Sequence, residues 1–220
     1  MAKHKTIIEK IKAQGLIPLF YHEDIQVSKA VVQALYEAGI GIIEYTNRGE
    51  NALNNFKALL KLRDKQWPDL LLAIGTIKNV KDAKAYIKAK ADFIICPGVV
   101  KEVGDKVQEA NMLWIPGCTT PTEIILAEDC GAKLVKLFRG NLLGHGFVTA
   151  IKEIFPGIDF MPTGGVEINK ENIESWFKAG VCAVGMGSKL ISKKLMEQKD
   201  YATIEKMTKE VLELISVIRK

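Results

Sequence analysis

A lysine stands at the centre of a short apolar run, Leu134–Phe138, whose length is that of a β-strand. A charged lysine in such a run is costly unless it has partners or gives up its charge. The neutral form of lysine is a nucleophilic amine, so Lys136 is the candidate reactive group. The alternative is a lysine near a strand end whose ammonium group reaches water along its own side chain.

A second polar group lies at the end of another apolar run, residues 40–46. Glu44, Thr46 and Arg48 follow one another at a spacing of two, which places them on one face of a strand. Ile42 lies on the same face below them. Glu44 could move protons for an amine, a role worth about 10² to 10⁴ in rate, and Arg48 offers a second cation and a planar fork for a carboxylate. The alternative is a structural ion pair of Glu44 with the lysine or with Arg48.

Glycine pairs point to a phosphate site. Gly164 and Gly165 follow a run that ends at Thr163, and Gly187 precedes Ser188. Glycines let backbone N–H groups approach a phosphate, above all at helix N-termini. We therefore predict a phosphate site on these loops, although tight turns also use glycine pairs.

Short apolar strands alternate with amphipathic helices along the whole chain, after a leading helix over residues 5–14. The predicted strands are residues 16–21, 40–46, 70–76, 93–96, 113–116, 134–138, 160–162 and 181–185. The predicted helices between and after them are residues 28–37, 51–65, 80–90, 99–110, 121–129, 147–154, 173–179 and 201–220. Nearly wholly apolar strands are typical of parallel strands covered on both faces.

Eight such strand–helix units predict an α/β protein, a (β/α)8 TIM barrel with an N-terminal helix, as one domain over residues 1–220. The alternative is a doubly wound open sheet. That fold would normally carry a Gly-rich fingerprint after its first strand, and none follows residues 16–21. In a barrel the carboxyl ends of the strands form the site, and Thr76, Pro97 and Thr119 stand at such ends.

Composition limits the classes of protein that fit. The 220 residues are 48% hydrophobic, enough for a substantial core, and the net charge of +5 is spread over the helices. Basic clusters interleaved with aromatic residues are absent, which argues against a nucleic-acid partner, while a mild positive bias suits an anionic substrate. No apolar run is long enough to cross a bilayer, and the first residues read as an amphipathic segment rather than a secretory signal. We therefore expect a cytoplasmic protein with no membrane partner.

The four cysteines, Cys96, Cys118, Cys130 and Cys182, form no C-x-x-C pair. We read them as reduced and mostly buried thiols, not as a metal site or a disulfide framework. Cys118 lies just after the fifth predicted strand, so it is either a packed thiol or a reactive one near the site.

Six short motifs stand in order along the chain: EYTNR at residues 44–48, GT at 75–76, CPG at 96–98, IPG at 115–117, VKLF at 135–138 and PTGGV at 162–166. Together they strongly resemble the 2-keto-3-deoxy-6-phosphogluconate (KDPG) and 4-hydroxy-2-oxoglutarate aldolases, over residues 15–190. The resemblance implies a class I aldolase that works through a Schiff base, needs no metal or other cofactor, and assembles as a homotrimer.

The resemblance also implies roles for the reactive end of the site. Lys136 would attack the C2 carbonyl of a 2-keto-3-deoxy acid, and Glu44 would shuttle protons as the C3–C4 bond breaks. Arg48 and Thr76 would hold the pyruvoyl carboxylate, and Thr163 would line the site. The best match is the phosphorylated six-carbon acid KDPG, with pyruvate and glyceraldehyde 3-phosphate as products.

At the far end of the substrate the resemblance implies that the phosphate lies on the glycine loops. The further binding residues predicted on these grounds are Gly164, Gly165, Gly187 and Ser188, with Pro97 and Thr119 completing the lining.

The chain departs from the family pattern at two places. Arg139 stands where the family usually has proline, so the loop loses a fixed φ and gains a cation that could reach an anionic tail. Asn47 and Gly49 replace the hydrophobic residue and the threonine that usually flank the arginine at position 48.

Several functions remain open at this point. The phosphorylated six-carbon acid, its C4 epimer and the five-carbon dicarboxylate 4-hydroxy-2-oxoglutarate share one pyruvoyl head, which the lysine and the glutamate would treat alike. A phosphosugar isomerase or epimerase would instead use paired carboxylates or a metal. A non-catalytic barrel that binds a phosphorylated ligand is the third alternative.

Overall fold

The computed structural model describes residues 2–220, with side chains from His4 onward. The prediction about the N-terminus that rests on Met1 lies outside the described residues. The strands are β1 (Leu16–Phe20), β2 (Ile42–Thr46), β3 (Leu71–Gly75), β4 (Phe93–Ile95), β5 (Leu113–Ile115), β6 (Gly117–Cys118), β7 (Leu134–Phe138), β8 (Asp159–Thr163) and β9 (Val184–Met186). The helices are α1 (Ala2–Gln14), α2 (Ile25–Glu37), α3 (Ala52–Gln66), α4 (Val80–Lys88), α5 (Lys101–Glu109), α6 (Pro121–Asp129), α7 (Gly140–Lys152), α8 (Lys170–Ala179), α9 (Lys193–Glu197) and α10 (Tyr201–Ile218).

The strands form a parallel sheet in the order β5-β4-β3-β2-β1-β9-β8-β7-β6. Its two outer members, β5 and β6, are consecutive in the chain and are separated only by Pro116, which has no N–H to donate. β5 pairs with β4 and β6 pairs with β7, while the Lys136 N–H donates to the Pro116 carbonyl at 2.8 Å. The sheet therefore closes on itself as an eight-stranded barrel. This confirms the predicted (β/α)8 fold and excludes the open sheet.

The barrel interior is apolar at its amino-terminal end. Its lower layers and the residues that cover them form one buried cluster: Ile7, Ile8 and Ile11 of α1, with Ile17, Ile42, Ala73, Phe93, Ile95, Leu113, Ile115, Leu134, Met161 and Ala183. α1 thus covers the bottom of the barrel with three isoleucines. The alternate residues of the strands point outward and pack against the surrounding helices in a second, larger cluster.

The predicted alternation along β2 is confirmed. Ile42 belongs to the interior cluster, whereas Ile43 and Tyr45 belong to the outer one. Glu44 therefore faces the interior one layer above Ile42. The same phase in β7 places Lys136 above Leu134, with Val135 in the outer cluster.

Most predicted elements differ from the observed ones by a few residues at one or both ends, and the clearest differences lie in the second half of the chain. The eighth predicted strand, residues 181–185, is observed at Val184–Met186, where the chain pairs with β1, although the Cys182 N–H already donates to the Phe160 carbonyl of β8 at 2.9 Å. The helix predicted at 147–154 begins earlier, at Gly140, and contains a non-helical residue, Gly144, at φ 70°. The short helix α9 was not predicted.

Among the described residues, no helix combines the length and the apolar character that crossing a membrane would require.

Candidate active site

The amine of Lys136 and the carboxylate of Glu44 meet inside the barrel. Lys136 Nζ donates to Glu44 Oε1 at 3.1 Å and to Oε2 at 3.2 Å. The two residues are 92 positions apart in the sequence and are 4% and 1% exposed. A carboxylate that accepts on both oxygens offsets much of the cost of burying the amine. The two predicted catalytic side chains are therefore in direct contact, and Glu44 forms no ion pair with Arg48 among the described residues.

Glycines at the same level of the barrel leave room for these polar groups. A Cβ atom on Gly75 would overlap the Glu44 carboxylate, and one on Gly185 would overlap the Thr163 hydroxyl. A Cβ atom on Gly117 would overlap the backbone of Pro97. A larger residue would displace the Glu44 or Thr163 side chain at the first two positions and would clash with the backbone after β4 at the third. Gly75 and Gly117 belong to two of the sequence motifs, but their role in packing could not be predicted from the motifs alone.

A cavity of about 290 Å³ opens above the pair, at the carboxyl ends of the strands. Five of the predicted binding residues line it: Arg48, Thr163, Gly164, Gly187 and Ser188. Phe138 lines it as well, and the centroid of its ring lies 5.3 Å from Lys136 Nζ. The amine therefore lies close to the Phe138 side of the cavity, although Lys136 and Glu44 do not line the cavity themselves.

The other four predicted binding residues do not line this cavity. Gly165 packs against Asn141, and Thr119 Oγ1 donates to the Phe138 carbonyl at 2.8 Å. Pro97 and Thr76 are half-buried where β4 and β3 end. Their binding roles remain predictions.

Two threonines carry features that point to a ligand. Thr76 has φ 65°, in the left-handed region that β-branched residues rarely occupy, and strain of this kind concentrates at functional sites. Thr163 is 5% exposed, and its buried hydroxyl has no hydrogen-bond partner in the protein. A buried hydroxyl without a partner calls for a ligand or a water molecule to complete it.

The loop that carries Arg48 is anchored by the residue before it. Tyr86 Oη donates to Asn47 Oδ1 at 2.8 Å, and Asn47 Nδ2 donates to Asp82 Oδ2 at 3.3 Å. The Asn47 N–H also donates to the Gly75 carbonyl at 2.9 Å. Asn47, which stands where the family usually has a hydrophobic residue, therefore ties the Arg48 loop to α4 and β3.

Gly49 explains a further cavity residue, Tyr21. A Cβ atom on Gly49 would overlap the Tyr21 hydroxyl, so glycine is required for the ring to lie there. Tyr21 lines the cavity, and burial, with smaller contributions from nearby Tyr45 and Glu23, raises the pKa of its hydroxyl. Tyr21 was not predicted as a site residue, although it follows directly on the first strand, and the strand-end rule would have identified it.

The structure favours the packed alternative for Cys118. Its side chain is 1% exposed and belongs to the outer cluster between the barrel and the helices. Burial raises the pKa of the Cys118 thiol to about 12, and a thiol in that state is a poor nucleophile at neutral pH. The expectation that the cysteines are mostly buried holds for Cys96 and Cys118, whereas Cys130 and Cys182 are partly exposed.

The charges around the cavity have one sign. Arg48, Arg139 and Lys193 line it, and no carboxylate does. Lys193 was missed because it begins α9, which is too short to produce a periodic pattern. Within the described part of the chain, no cluster of three histidine, cysteine or acidic side chains is arranged to hold a metal ion.

A (β/α)8 barrel with a lysine–glutamate pair buried under a cationic mouth has the arrangement of a class I aldolase, in which a lysine amine attacks a carbonyl group. A model of the KDPG and KHG aldolase family matches residues 7–207, and the chain belongs to this family. The enzyme is therefore an aldolase, a lyase.

Relatives in sequence and in structure agree with this assignment. The chain is 29% identical to the KHG/KDPG aldolase of Escherichia coli, over 97% of this chain and 98% of that one. It is 26% identical to the 2-dehydro-3-deoxy-phosphogluconate aldolase of Haemophilus influenzae, over 96% and 97% of the two chains. The KDPG aldolase of Legionella pneumophila, solved with pyruvate captured as a covalent carbinolamine, superimposes with a TM-score of 0.84 at 25% identity, over 91% of this chain and 95% of that one.

Proposed function

We propose that the protein cleaves 2-keto-3-deoxy-6-phosphogluconate to pyruvate and glyceraldehyde 3-phosphate through an imine on Lys136. The observation that carries the proposal is the buried amine of Lys136, held by both oxygens of Glu44 beneath a cavity with three cations. An amine in such a site needs a proton acceptor beside it, and Glu44 is in hydrogen-bond contact with it.

The reaction follows from this contact. Glu44 takes a proton from the ammonium group, and the free amine adds to the C2 carbonyl to give a carbinolamine, which loses water to form the imine. Glu44 gives its proton to the departing water and then takes the proton of the C4 hydroxyl as the C3–C4 bond breaks. The electrons of that bond pass into an enamine while the aldehyde leaves. Protonation at C3 and addition of water release pyruvate and restore Lys136. The covalent pyruvate in the Legionella pneumophila relative supports this sequence of steps.

The binding residues divide between the two ends of the substrate. Arg48, Thr76 and Thr163 serve the pyruvoyl carboxylate, and the unpartnered hydroxyl of Thr163 supports this role. The loops after β8 and β9 serve the phosphate through Gly164, Gly165, Gly187 and Ser188, with Pro97 and Thr119 beside them. Gly164 and Gly165 both have positive φ, a backbone conformation that glycine adopts readily where a chain approaches a ligand closely.

Cleavage of 4-hydroxy-2-oxoglutarate to pyruvate and glyoxylate is the second candidate. The name of the Escherichia coli relative combines both activities. The cations at the mouth, Arg48 and Arg139, suit a second carboxylate as well as a phosphate.

We also propose that the enzyme is cytoplasmic, needs no added cofactor and forms a homotrimer. Apolar side chains on neighbouring helices support association between copies of the chain. Leu142 is 75% exposed, and Ile125 and Leu126 on α6 are 51% and 42% exposed.

Imine trapping tests the proposed function. The protein is incubated with pyruvate and borohydride, and the adduct is located by peptide mass. We expect a reduced pyruvate adduct on Lys136 and none in Lys136→Met, which should retain the circular dichroism of the fold while losing turnover.

The matched control is Lys133→Met, which removes an exposed lysine just before the same strand. This variant should be trapped and should turn over like the unchanged protein. An unmodified Lys136, under conditions that trap a control aldolase, would remove the Schiff-base mechanism and favour the isomerase or the non-catalytic binder.

A further inference from the structure

Arg139 stands at the mouth of the cavity, immediately after β7, the strand that carries Lys136. It lines the cavity, and its guanidinium carbon lies 5.4 Å from the centroid of the Phe138 ring. A guanidinium over an aromatic face is attracted to the ring and holds a limited range of orientations. The Arg139 side chain is exposed, but its guanidinium group packs against the Phe138 ring.

The backbone beneath Arg139 is fixed from two directions. The Thr119 hydroxyl donates to the Phe138 carbonyl, which belongs to the peptide group of Arg139. On the other side Arg139 lies against Gly164, since a Cβ atom built on Gly164 would be 3.7 Å from the Arg139 Cβ. Arg139 is therefore beside the glycine loop at which the proposed function places the phosphate.

The positive charge of Arg139 has no counterion. Among the described residues, neither Arg139 nor Arg48 has a carboxylate within 4.0 Å, whereas Lys193 is 3.5 Å from Glu197. An unpaired cation on a cavity wall raises the local concentration of anions and can bind one directly.

The distance between Arg139 and the reactive amine suits a short linear substrate. Lys136 Nζ and Arg139 Cζ each lie within 5.4 Å of the centroid of the Phe138 ring, so they are separated by less than twice that distance. This upper limit is compatible with a keto acid that is joined to Lys136 at C2 and extends toward Arg139 with its opposite end.

We propose that Arg139 recognises the anionic tail of the substrate, a phosphate or a carboxylate, and selects such substrates over those with a neutral tail. The proposal rests on the proposed function and extends it, because it names a side chain, besides the glycine loops, that distinguishes substrates by their far end. Arg139 acts in binding and takes no part in the bond-breaking steps.

The test compares substrates with the same head and different tails. The value of kcat/KM is measured for 2-keto-3-deoxy-6-phosphogluconate, for 2-keto-3-deoxygluconate, which lacks the phosphate, and for 4-hydroxy-2-oxoglutarate. In Arg139→Ala we expect about a tenfold loss, mainly through KM, for the preferred anionic substrate, and a change of less than about twofold for the neutral one. The anionic substrate with the greater loss identifies the tail, phosphate or carboxylate.

Two further variants separate contact from general charge. Arg139→Lys keeps the charge but loses the fork, so it should recover part of the loss. Lys194→Ala removes an exposed cation near the cavity that does not line it, and it should leave the ratio of kcat/KM values between charged and neutral substrates unchanged. An equal fall in Lys194→Ala would mean that only the long-range field matters, and the proposal would be wrong.

Pyruvate trapping keeps this proposal separate from the proposed function. Arg139→Ala should still form the adduct on Lys136, because pyruvate has no tail. If the unchanged protein forms no adduct, the proposed function fails and the present proposal fails with it. If the adduct forms but Arg139→Ala treats charged and neutral tails alike, only the role of Arg139 is overturned.

Discussion

The hydroxyl of Thr163 is a buried polar group that the protein itself leaves without a partner. Such a group has lost its hydrogen bonds to bulk water and gains none on folding, a cost of about 1–3 kcal/mol. Its position between Gly185 and the floor of the cavity means that a bound carboxylate could supply the missing partner.

Replacing Thr163 with valine should therefore have opposite effects on stability and binding. Valine has nearly the same shape without the hydroxyl, so we expect Thr163→Val to raise the free energy of unfolding by about 1 kcal/mol. The same change should raise the KM several-fold, because the carboxylate loses a donor. Urea unfolding and steady-state kinetics measure the two effects.

Thr208→Val is the matched control. Thr208 is fully buried in α10, and its hydroxyl donates to the Ile204 carbonyl at 2.7 Å. This variant should not become more stable, and its kinetics should be unchanged. A Thr163→Val protein that loses stability would show that the hydroxyl has a partner in the free enzyme, and the argument from its isolation would be wrong.

The sequence was sufficient to predict the residues that alternate along single strands. Lys136 and Glu44 follow Leu134 and Ile42 at a period of two, which is a local property of the chain, whereas Arg48 lies in the loop after β2. The strand-end rule points to Tyr21, but the place of its ring depends on the missing Cβ atom of Gly49, a contact between different loops that the sequence pattern does not show.

At the scale of elements, hydrogen bonds at the start of α6 fix the short loop between β6 and α6, which lies beside the site. Thr120 and Glu123 form a reciprocal capping box, and the Glu123 carboxylate also accepts from the Thr119 N–H at 2.7 Å. Burial would raise the pKa of Glu123, but the bonds from Thr119 and Thr120 outweigh it and lower the pKa below its ordinary value of 4.5. Because Thr119 also bonds Phe138, α6 contributes to positioning the end of the lysine strand.

The capping box predicts a pH-dependent stability difference. A carboxylate with a lowered folded pKa stabilises the protein above its unfolded pKa, and this contribution is lost as the pH falls through the folded value. We therefore expect Glu123→Gln to be less stable than the unchanged protein by about 1 kcal/mol at pH 7, with the gap closing on acidification. Urea unfolding of both proteins, at pH 7 and at an acidic pH below the folded pKa of Glu123, measures this difference in the free energy of unfolding.

Glu128→Gln provides the comparison within the same helix. Glu128 stands in the last turn of α6, and its carboxylate has no hydrogen bond to the backbone among the described residues. Its replacement should not reproduce the effect. A gap for Glu123→Gln that is constant with pH would mean that the charge of Glu123 does not contribute to the cap.

Elements with strong local patterns were predicted well, and short or interrupted ones were not. The sixth predicted strand, which is β7, has the predicted boundaries because it is an apolar run. α6 has the predicted boundaries because a proline stands at its first helical position. α9 has five residues, and α7 contains Gly144 at positive φ, so neither shows a continuous helical period. The boundaries of β9, the eighth predicted strand, depend on its pairing with neighbouring strands rather than on its own sequence.

At the scale of the whole molecule, the exposed apolar side chains predict association. Light scattering should give a mass close to three times the 24.4 kDa of the chain. Leu142→Lys should lower this mass, because a lysine that becomes buried between copies has no partner.

Val217→Lys is the control for this prediction. Val217 is 56% exposed on α10, away from α6 and α7, and its replacement should leave the mass unchanged. A monomer mass for the unchanged protein would overturn the proposed homotrimer.

The three isoleucines of α1 that cover the bottom of the barrel leave the mouth as the way in and out of the reaction chamber. With one opening to the site, the molecule that binds deepest must bind first and dissociate last. In the proposed reaction the aldehyde forms nearer the mouth, so it would leave before the pyruvate that is still attached to Lys136. In the reverse reaction pyruvate binds before the aldehyde, so the shape of the barrel imposes an ordered binding and release of the two molecules.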